Sequence, residues 1–537
     1  MERIRRARGP ILFLCGLLAA LPVSFTQVSF LAFFSFLPAL FLLFLEWTAT
    51  ELPCKPRRYY GAGMWFSMGF FMMTFHWFTY MWPLDFVGLT PLGAVGVIIA
   101  ACVGLPLLQS LGFAVLFYLL AWLSRTQAVR RYPLLLPLLF AAGWTVFAYT
   151  QTLTWAGVPW GAQLALSQHK NLLLVSSASF FGSYFVTFVI ALVNAMLAYA
   201  ILRLYRGGWR AARASALLCA GVFLLHFGLS ALAYCLPTKE EKTVKAAVLQ
   251  GNFSSAEKWD ANTDPLTRYL ELGKEAVAEG AEILVWPETA IPYDLMTDTY
   301  GVMRIRDLAK ETGTTHIVGA YAYSCNEDGS YDRYNTLFLF RPDGSISEQE
   351  YHKRHLVPFG EYVPLATLID ALLPFLAELE MLDDGSRMTA GNDPALFYED
   401  IGVIGGLVCF DSIYPSLARE SVAAGAELLA LGTNDSWFFD SAAVYQHNGQ
   451  AVLRAIENGR CLVRAANTGV SSIISEKGEI LAEIEPLVAG QTTAEVSLVT
   501  SNTLYTHIGD LFVLLAAIVF HLPFAVELIL YIRKKNT

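Results

Sequence analysis

The sequence predicts two kinds of fold in one chain: a multi-span α-helical membrane domain and a layered, soluble α/β domain. Three observations predict this. The 537 residues are 55% hydrophobic and only 15% charged, with a mean hydropathy of +0.46. That is too apolar for an ordinary soluble protein and too long for one domain. The charge is also unevenly spread. Residues 1–236 and 507–537 together hold 18 Lys and Arg against 6 Asp and Glu, a net of +12, whereas residues 237–506 hold 19 against 40, a net of −21. Finally, apolar runs of about 20 residues, the length of a membrane span, crowd the first part, while the second alternates short β-rich runs with helical patterns. The expected organisation is a seven-span membrane domain over 1–236, a soluble domain over 237–506, and an eighth span with a basic tail over 507–537. An acidic soluble domain argues against nucleic acid as a partner, because phosphate binding needs a basic face.

The apolar runs place spans at 10–24, 28–46, 60–79, 91–123, 133–149, 172–203, 212–236 and 508–532. The first follows a basic start and has no small-residue cleavage site before the second begins, so it reads as an uncleaved helix. The fourth is too long for a straight span and is expected to tilt, or to break near Gly104-Leu105-Pro106. Orientation follows from Lys and Arg in the short loops. Arg3, Arg5, Arg6 and Arg8, then Lys55, Arg57 and Arg58, then Arg125, Arg130 and Arg131, then Arg203, Arg206, Arg210 and Arg213, and last Arg533, Lys534 and Lys535 all fall on one side if the spans alternate. Lys170 alone falls opposite. Both termini are therefore expected in the cytoplasm and the soluble domain outside it. The outer loops at 80–90 and 150–171, with Tyr80, Trp82, Trp155 and Trp160, read either as an interfacial aromatic belt or as a lipid-facing rim below a site.

In the soluble part, strands are expected at 244–250, 283–286, 316–321, 336–340, 403–409, 428–431, 461–465 and 471–475, and helices at about 264–279, 301–312, 414–424 and 443–458. This alternation, with several β–β steps, predicts a layered α/β domain that is not purely parallel. The stretch 365–382 is unusually apolar for such a domain and reads as a core helix or as an amphipathic arm. Eight cysteines show neither a C-x-x-C pair nor zinc-like spacing. No disulfide framework, metal or cofactor is expected.

Three residue types stand in an order that suits acyl transfer. Glu288 follows the strand at 283–286 and Pro287, where apolar surroundings suit a general base. Lys353 sits in a basic turn and is a cation able to stabilise an oxyanion. Cys409 ends an apolar strand before an expected helix, and a thiol there gains from the helix N-terminus as thiolate. Taken singly, these read as a loop carboxylate, a solvated basic turn and a buried core cysteine. Glu361, in a turn-rich loop, is placed to orient the lysine or the base. His447 reads as a polar helix residue.

Trp-Pro-Glu-Thr-Ala around Glu288, Lys-Arg-His-Leu-Val-Pro-Phe-Gly-Glu-Tyr-Val-Pro from Lys353 and the Cys409 elbow resemble the Glu-Lys-Cys triad of the nitrilase (carbon–nitrogen hydrolase) superfamily. Within it, the apolipoprotein N-acyltransferase family is the specific match. The segments 249–259, 433–438, Gln446-His447 and 464–469 resemble it too, as does a domain set between spans seven and eight. The resemblance implies an αββα sandwich. It implies Cys409 as nucleophile, Glu288 as base, Lys353 as oxyanion stabiliser and Glu361 as an accessory glutamate, with Trp259, Asn434 and Trp437 near the substrate cleft. Asp411 stands where the family often has Glu, and Ala165-Leu166-Ser167-Gln168 where it often has Gly-Tyr-Ser-Gln. The expected reaction moves an acyl chain from a membrane phospholipid, through a cysteine thioester, to the N-terminal amine of S-diacylglyceryl-cysteine on an apolipoprotein. A monomer in the bacterial inner membrane, with its catalytic domain outside the cytoplasm, is expected.

Overall fold

The computed structural model describes residues 8–49, 55–84, 90–153, 158–258, 260, 263–362, 364 and 387–536. The apolar stretch 365–382 and Trp259 lie outside them. The chain divides into two compact units, one of Met1–Thr79, Gly96–Leu236 and Ile508–Thr537, the other of Tyr80–Val95 and Pro237–His507.

The first unit is helical. Thr26–Trp47, Pro91–Leu123, Ser183–Cys235 and Leu511–Arg533 are long and apolar enough to cross a membrane, and Arg8–Ser24, Leu135–Thr150 and Leu172–Phe181 are shorter apolar helices. Pro91–Leu123 is interrupted by a π-helical turn at Ala100–Gly104, next to the Gly-Leu-Pro step that predicts a break. The 53-residue Ser183–Cys235 helix is two helices folded back at Gly207 and Gly208, and Gly208 has φ +68°, a value that glycine adopts at little cost. The reversal shows in its contacts: Cys219 Sγ reaches the Val193 carbonyl at 3.7 Å, and Ser230 Oγ accepts from Ser177 N at 3.0 Å. The expected sixth span is corrected at its start, because the chain breaks at Gly182 (φ +80°) between Ala178–Phe181 and Ser183. Inside the unit, buried Asn194 donates to the Ala32 carbonyl at 2.7 Å and accepts from Phe36 N at 3.0 Å. It satisfies main-chain groups freed where Thr26–Phe33 gives way to Leu37–Trp47. Trp160, expected in an outer loop, is buried against Trp77.

The second unit has two sheets. Its strands are β1 (Glu240–Gln250), β2 (Ile283–Val285), β3 (Ile291–Asp294), β4 (Thr315–Cys325), β5 (Tyr331–Phe340), β6 (Tyr351–His352), β7 (Leu396–Glu399), β8 (Gly402–Val408), β9 (Leu428–Thr433), β10 (Leu462–Ala466), β11 (Ser471–Ile474), β12 (Ile480–Ile484) and β13 (Gly490–Val499). The seven-stranded sheet runs β13-β1-β2-β4-β5-β6 with β3 paired to β4, and the six-stranded sheet runs β12-β11-β10-β9-β8-β7. Each has a parallel centre, β1-β2-β4 in one and β8-β9-β10 in the other, flanked by antiparallel strands.

The inner faces of the two sheets pack on each other. Val244, Ala246 and Val248, alternate residues of β1, join Val285, Ile317 and Leu339 from the first sheet and meet Ile404, Val408, Ala430 and Val463 from the second. The spacing of two along β1 is that of side chains sharing one face of a strand. On the outer face of the first sheet lie α1 (Pro265–Ala278) and α2 (Thr299–Thr312), whose Leu266, Leu270, Ile305 and Leu308 meet Leu249, Leu284, Val318 and Phe338. On the second lie α3 (Pro415–Ala423) and α4 (Ala442–Asn458). The layers are therefore helix, sheet, sheet, helix. α1 starts where Asp264 accepts from Thr267 N and Pro265 takes the first position. α4 starts at the Ser441 cap and stops at Gly459, in left-handed conformation.

Candidate active site

The parallel strands of both sheets deliver their C-terminal ends to one place, the usual mouth of such a sheet. Glu288 follows β2, Cys409 follows β8, Asn434 and Asp435 follow β9, and Lys353 follows β6. The loop after β2 comes very close to β4. A Cβ at Gly319 would run into the Pro287 carbonyl oxygen, so only glycine admits the loop there.

Glu288 and Lys353 are both buried, at 5% and 1% exposure. Lys353 Nζ lies 2.9 Å from Glu288 Oε1 and 2.8 Å from Glu361 Oε1. Asn335 Nδ2 donates to Glu288 Oε1 at 2.6 Å, and Asn434 N donates to Glu288 Oε2 at 2.8 Å. Glu361 is fixed in turn by Val357 N at 2.8 Å. Burial works against the charge on Lys353, yet Glu288 and Glu361 outweigh it and hold the amine well above its ordinary range.

Cys409 occupies a tight elbow. Its φ is +49°, a left-handed value that costs energy for any residue with a side chain. The helix expected at about 414–424 is present as α3 (Pro415–Ala423), and a 3-10 turn, Cys409–Ile413, separates it from Cys409. Cys409 is therefore not at a helix N-terminus, and the expectation of a favoured thiolate is corrected. Burial, and then the charge of Glu288, push the Cys409 thiol up, and Lys353 offsets only part of this.

Asp411 joins the elbow to the lysine segment. Its carboxylate accepts from His355 N at 2.8 Å, Tyr351 Oη at 2.9 Å, Val408 N at 3.1 Å and Arg354 N at 3.2 Å. Burial raises its pKa to about 6 against these donors. It thus ties the main chain just after Lys353, and the Tyr351 side chain just before it, to the elbow at Cys409.

Sequence reasoning gave no role in the site to four of its side chains. Asn335, from β5, donates to both carboxylates; it lies in the polar first half of that strand, just before the apolar run expected at 336–340. Lys258 is buried, and its Nζ reaches the Glu288 carbonyl at 3.3 Å and the Thr289 hydroxyl. Burial lowers its pKa to about 7, opposed in part by Glu288 and Cys409. Asp435 and His447 lie behind the elbow. His447 Nδ1 is 2.8 Å from Asp435 Oδ1, and its Nε2 is 3.1 Å from the Cys409 carbonyl. Arg464 Nη2 is 2.8 Å from Asp435 Oδ2. His447 is therefore a buried member of the site rather than an ordinary polar helix residue. Burial would raise the Asp435 carboxyl, but His447 and Arg464 hold it below the carboxylate range.

Cys409, Asp435 and His447 place three ligand-type atoms within 4.8 Å of one another. Asp435 already accepts from His447 and pairs with Arg464, so the trio reads as a hydrogen-bonded support. Asn434 faces Glu288 with its main chain, while its side-chain oxygen accepts from Asn467 Nδ2 at 3.2 Å. Trp437 is half-buried and packs near Gly360, beside Glu361.

Comparison with known proteins finds relatives of this chain. Residues 245–504 match the carbon-nitrogen hydrolase family, and residues 15–196 match the apolipoprotein N-acyltransferase N-terminal domain. An apolipoprotein N-acyltransferase of Geobacter metallireducens is 35% identical over 400 residues, covering 73% of this chain and 74% of that protein. One of Bradyrhizobium diazoefficiens is 30% identical over 540 residues, covering 95% of each. A crystal structure of an amidase from Nesterenkonia sp. is 19% identical, covers 48% of this chain and 92% of its own, and gives a TM-score of 0.36.

Proposed function

The chain belongs to the apolipoprotein N-acyltransferase family, and from that premise we propose that it acylates lipoprotein N-termini by a two-step reaction at Cys409. In the first step Glu288 takes the thiol proton as Sγ attacks an acyl ester of a membrane phospholipid. Lys353 has three N–H bonds; Glu288 and Glu361 take two, and the third meets the developing oxyanion. The carbon–oxygen bond breaks, the leaving oxygen takes the proton from Glu288, and a lysophospholipid departs. The acyl chain remains as a thioester.

In the second step the neutral α-amine of an S-diacylglyceryl-cysteine attacks that thioester. Glu288 takes a proton from the nitrogen and returns it to the departing Cys409 sulfur. The amide forms and the thiol is restored. Glu361 and Asn335 hold Lys353 and Glu288 in register throughout.

The observation that carries this reading is the buried Glu288–Lys353 pair at 2.9 Å, next to a thiol on a strained elbow. A thiol raised by burial needs a base at hand, and Glu288 is that base. Both termini are assigned to the cytoplasm and the catalytic domain to the opposite side, on the Lys and Arg distribution. Trp259, Asn434 and Trp437 are assigned to the rim of the substrate cleft, and the protein acts as a monomer.

Intact mass after incubation with phospholipid tests the scheme. The expected result is one added acyl mass, removed by hydroxylamine, absent in Cys409→Ala and passed to a diacylated lipopeptide on its addition. Transfer to the lipopeptide by Cys409→Ala at the wild-type rate would sink it.

A further inference from the structure

Beside the Glu288–Lys353 pair, in the same α/β unit, an open cleft of about 570 Å³ is lined by Tyr293, Asp294, Tyr321, Tyr323, Tyr331 and Arg333. Its position is fixed by strand register. On β4 and β5, Tyr321 pairs with Asn335 and Tyr323 with Arg333. Arg333 and Asn335 are two residues apart on one strand and share a face, roughly 7 Å apart. Asn335 is the residue that holds Glu288 at 2.6 Å. The cleft therefore opens next to the reacting groups.

Arg333 is set up as a cation awaiting an anion. Its guanidinium lies 4.0 Å from the centre of the Tyr321 ring and 5.8 Å from that of Tyr323, which fixes its plane. Among the described residues it forms no ion pair, unlike Arg341, Arg354 and Arg464 in the same unit. Among the described residues its Nε, like that of Arg464, is buried without a hydrogen-bond partner, which leaves the outer nitrogens of the fork as the groups that can meet an anion. Asp294, the carboxylate of the cleft, already accepts from Met296 N at 3.1 Å as the cap of a short turn.

The chemistry of the two substrates selects the anion. In a glycerophospholipid a phosphodiester lies a handful of bonds from the ester that Cys409 attacks, which matches the short step from Asn335 to Arg333. The diacylglyceryl-cysteine acceptor has no phosphate. We propose that Arg333, stacked on Tyr321, binds the phosphodiester headgroup of the acyl donor and holds its ester against Cys409. This rests on the reading of Cys409 as the acylated residue. The rings of Tyr323 and Tyr331 cover the remaining faces of the headgroup, and its charge is placed on Arg333, away from Glu288 and Glu361.

The test uses the purified full-length protein in detergent. Thioester formation on Cys409 is followed by intact mass with two donors, a phospholipid and a neutral p-nitrophenyl acyl ester. For Arg333→Gln the kcat/KM ratio of phospholipid to neutral ester is expected to fall about tenfold, chiefly through KM, the size of one charge-assisted hydrogen bond. Arg333→Lys is expected to recover part of it. An unchanged ratio, including equal losses on both donors from a damaged fold, overturns the proposal. So does a raised KM for the diacylated lipopeptide with an unchanged donor step, which would give the cleft to the acceptor. If the wild-type protein forms no thioester with either donor, the reading of Cys409 itself fails, an outcome separate from a wild-type thioester that ignores Arg333.

Discussion

At the scale of residues, the site is built from charges that need one another. Lys353 stays charged because two carboxylates face it, while Cys409 stays protonated because burial and Glu288 oppose the thiolate. Alkylation of Cys409 by iodoacetamide is therefore expected to be slow at neutral pH and to keep rising with pH beyond the ordinary thiol range. A plateau below about pH 8, read from the rate of mass gain, would contradict the raised thiol. Behind the elbow, His447 joins the Cys409 carbonyl to Asp435. His447→Ala removes these buried hydrogen bonds while Asp435 keeps Arg464, so it is expected to lower stability by about 1–3 kcal/mol and to slow thioester formation. Chemical denaturation and acylation rate check the two effects separately. The sign of the acid dependence follows from Asp435. A carboxyl held below its ordinary value stabilises the fold above the carboxylate range, and that stability is lost as pH falls through it. Glu288, Lys353 and Cys409 were legible because they close strong apolar strands or sit in dense motifs. Asp435 and Lys258 fall in segments that carry the resemblance, but their roles were not legible, because nothing in a sequence marks which distant charges will be buried together.

At the scale of elements, the central parallel strands were legible and the edges were not. β2, β8 and β9 are largely buried and read as near-continuous apolar runs, and β4 and β10 do so apart from His316 and Arg464. β13 (Gly490–Val499) mixes threonine, glutamate and valine and pairs with β1 at the sheet edge, and β6 is only two residues long. Such strands exist because a neighbour offers hydrogen bonds, which no local pattern encodes. The elbow shows the same limit. Pro415 and the amphipathic run after it marked a helix, but the segment Cys409–Ile413 before it forms a 3-10 turn tied down by Asp411. Gly319 gives an element-level prediction. A methyl group there meets the Pro287 carbonyl, so Gly319→Ala must displace the loop that carries Glu288. A loss of about 1–3 kcal/mol in stability, typical of overpacking, is expected with a larger fall in acylation rate. Wild-type acylation at a lowered melting temperature would show that the loop and the base are not linked.

At the scale of the whole molecule, the charge distribution makes the most direct prediction. With both termini in the cytoplasm, a reporter active only in the cytoplasm is expected to report at residue 537 and to stay silent when inserted in the exposed turn at 327–329 of the α/β unit. The opposite pattern would overturn the proposed orientation. The division into an apolar helical part and an acidic α/β part, and the order of the main strands and helices in the latter, can be read from the residues without any structure. Burial periodicity and net charge are properties of composition and spacing, and they survive without knowing any contact. The packed fold decided what composition cannot: that Ser183–Cys235 reverses at Gly208, that Asn335, Lys258 and His447 join the cluster around Glu288 and Cys409, and that Arg333 faces an open cleft beside it. Each depends on groups far apart in the chain being brought within hydrogen-bonding distance and out of water. Their charges and protonation states follow from that desolvation, which is set by tertiary packing.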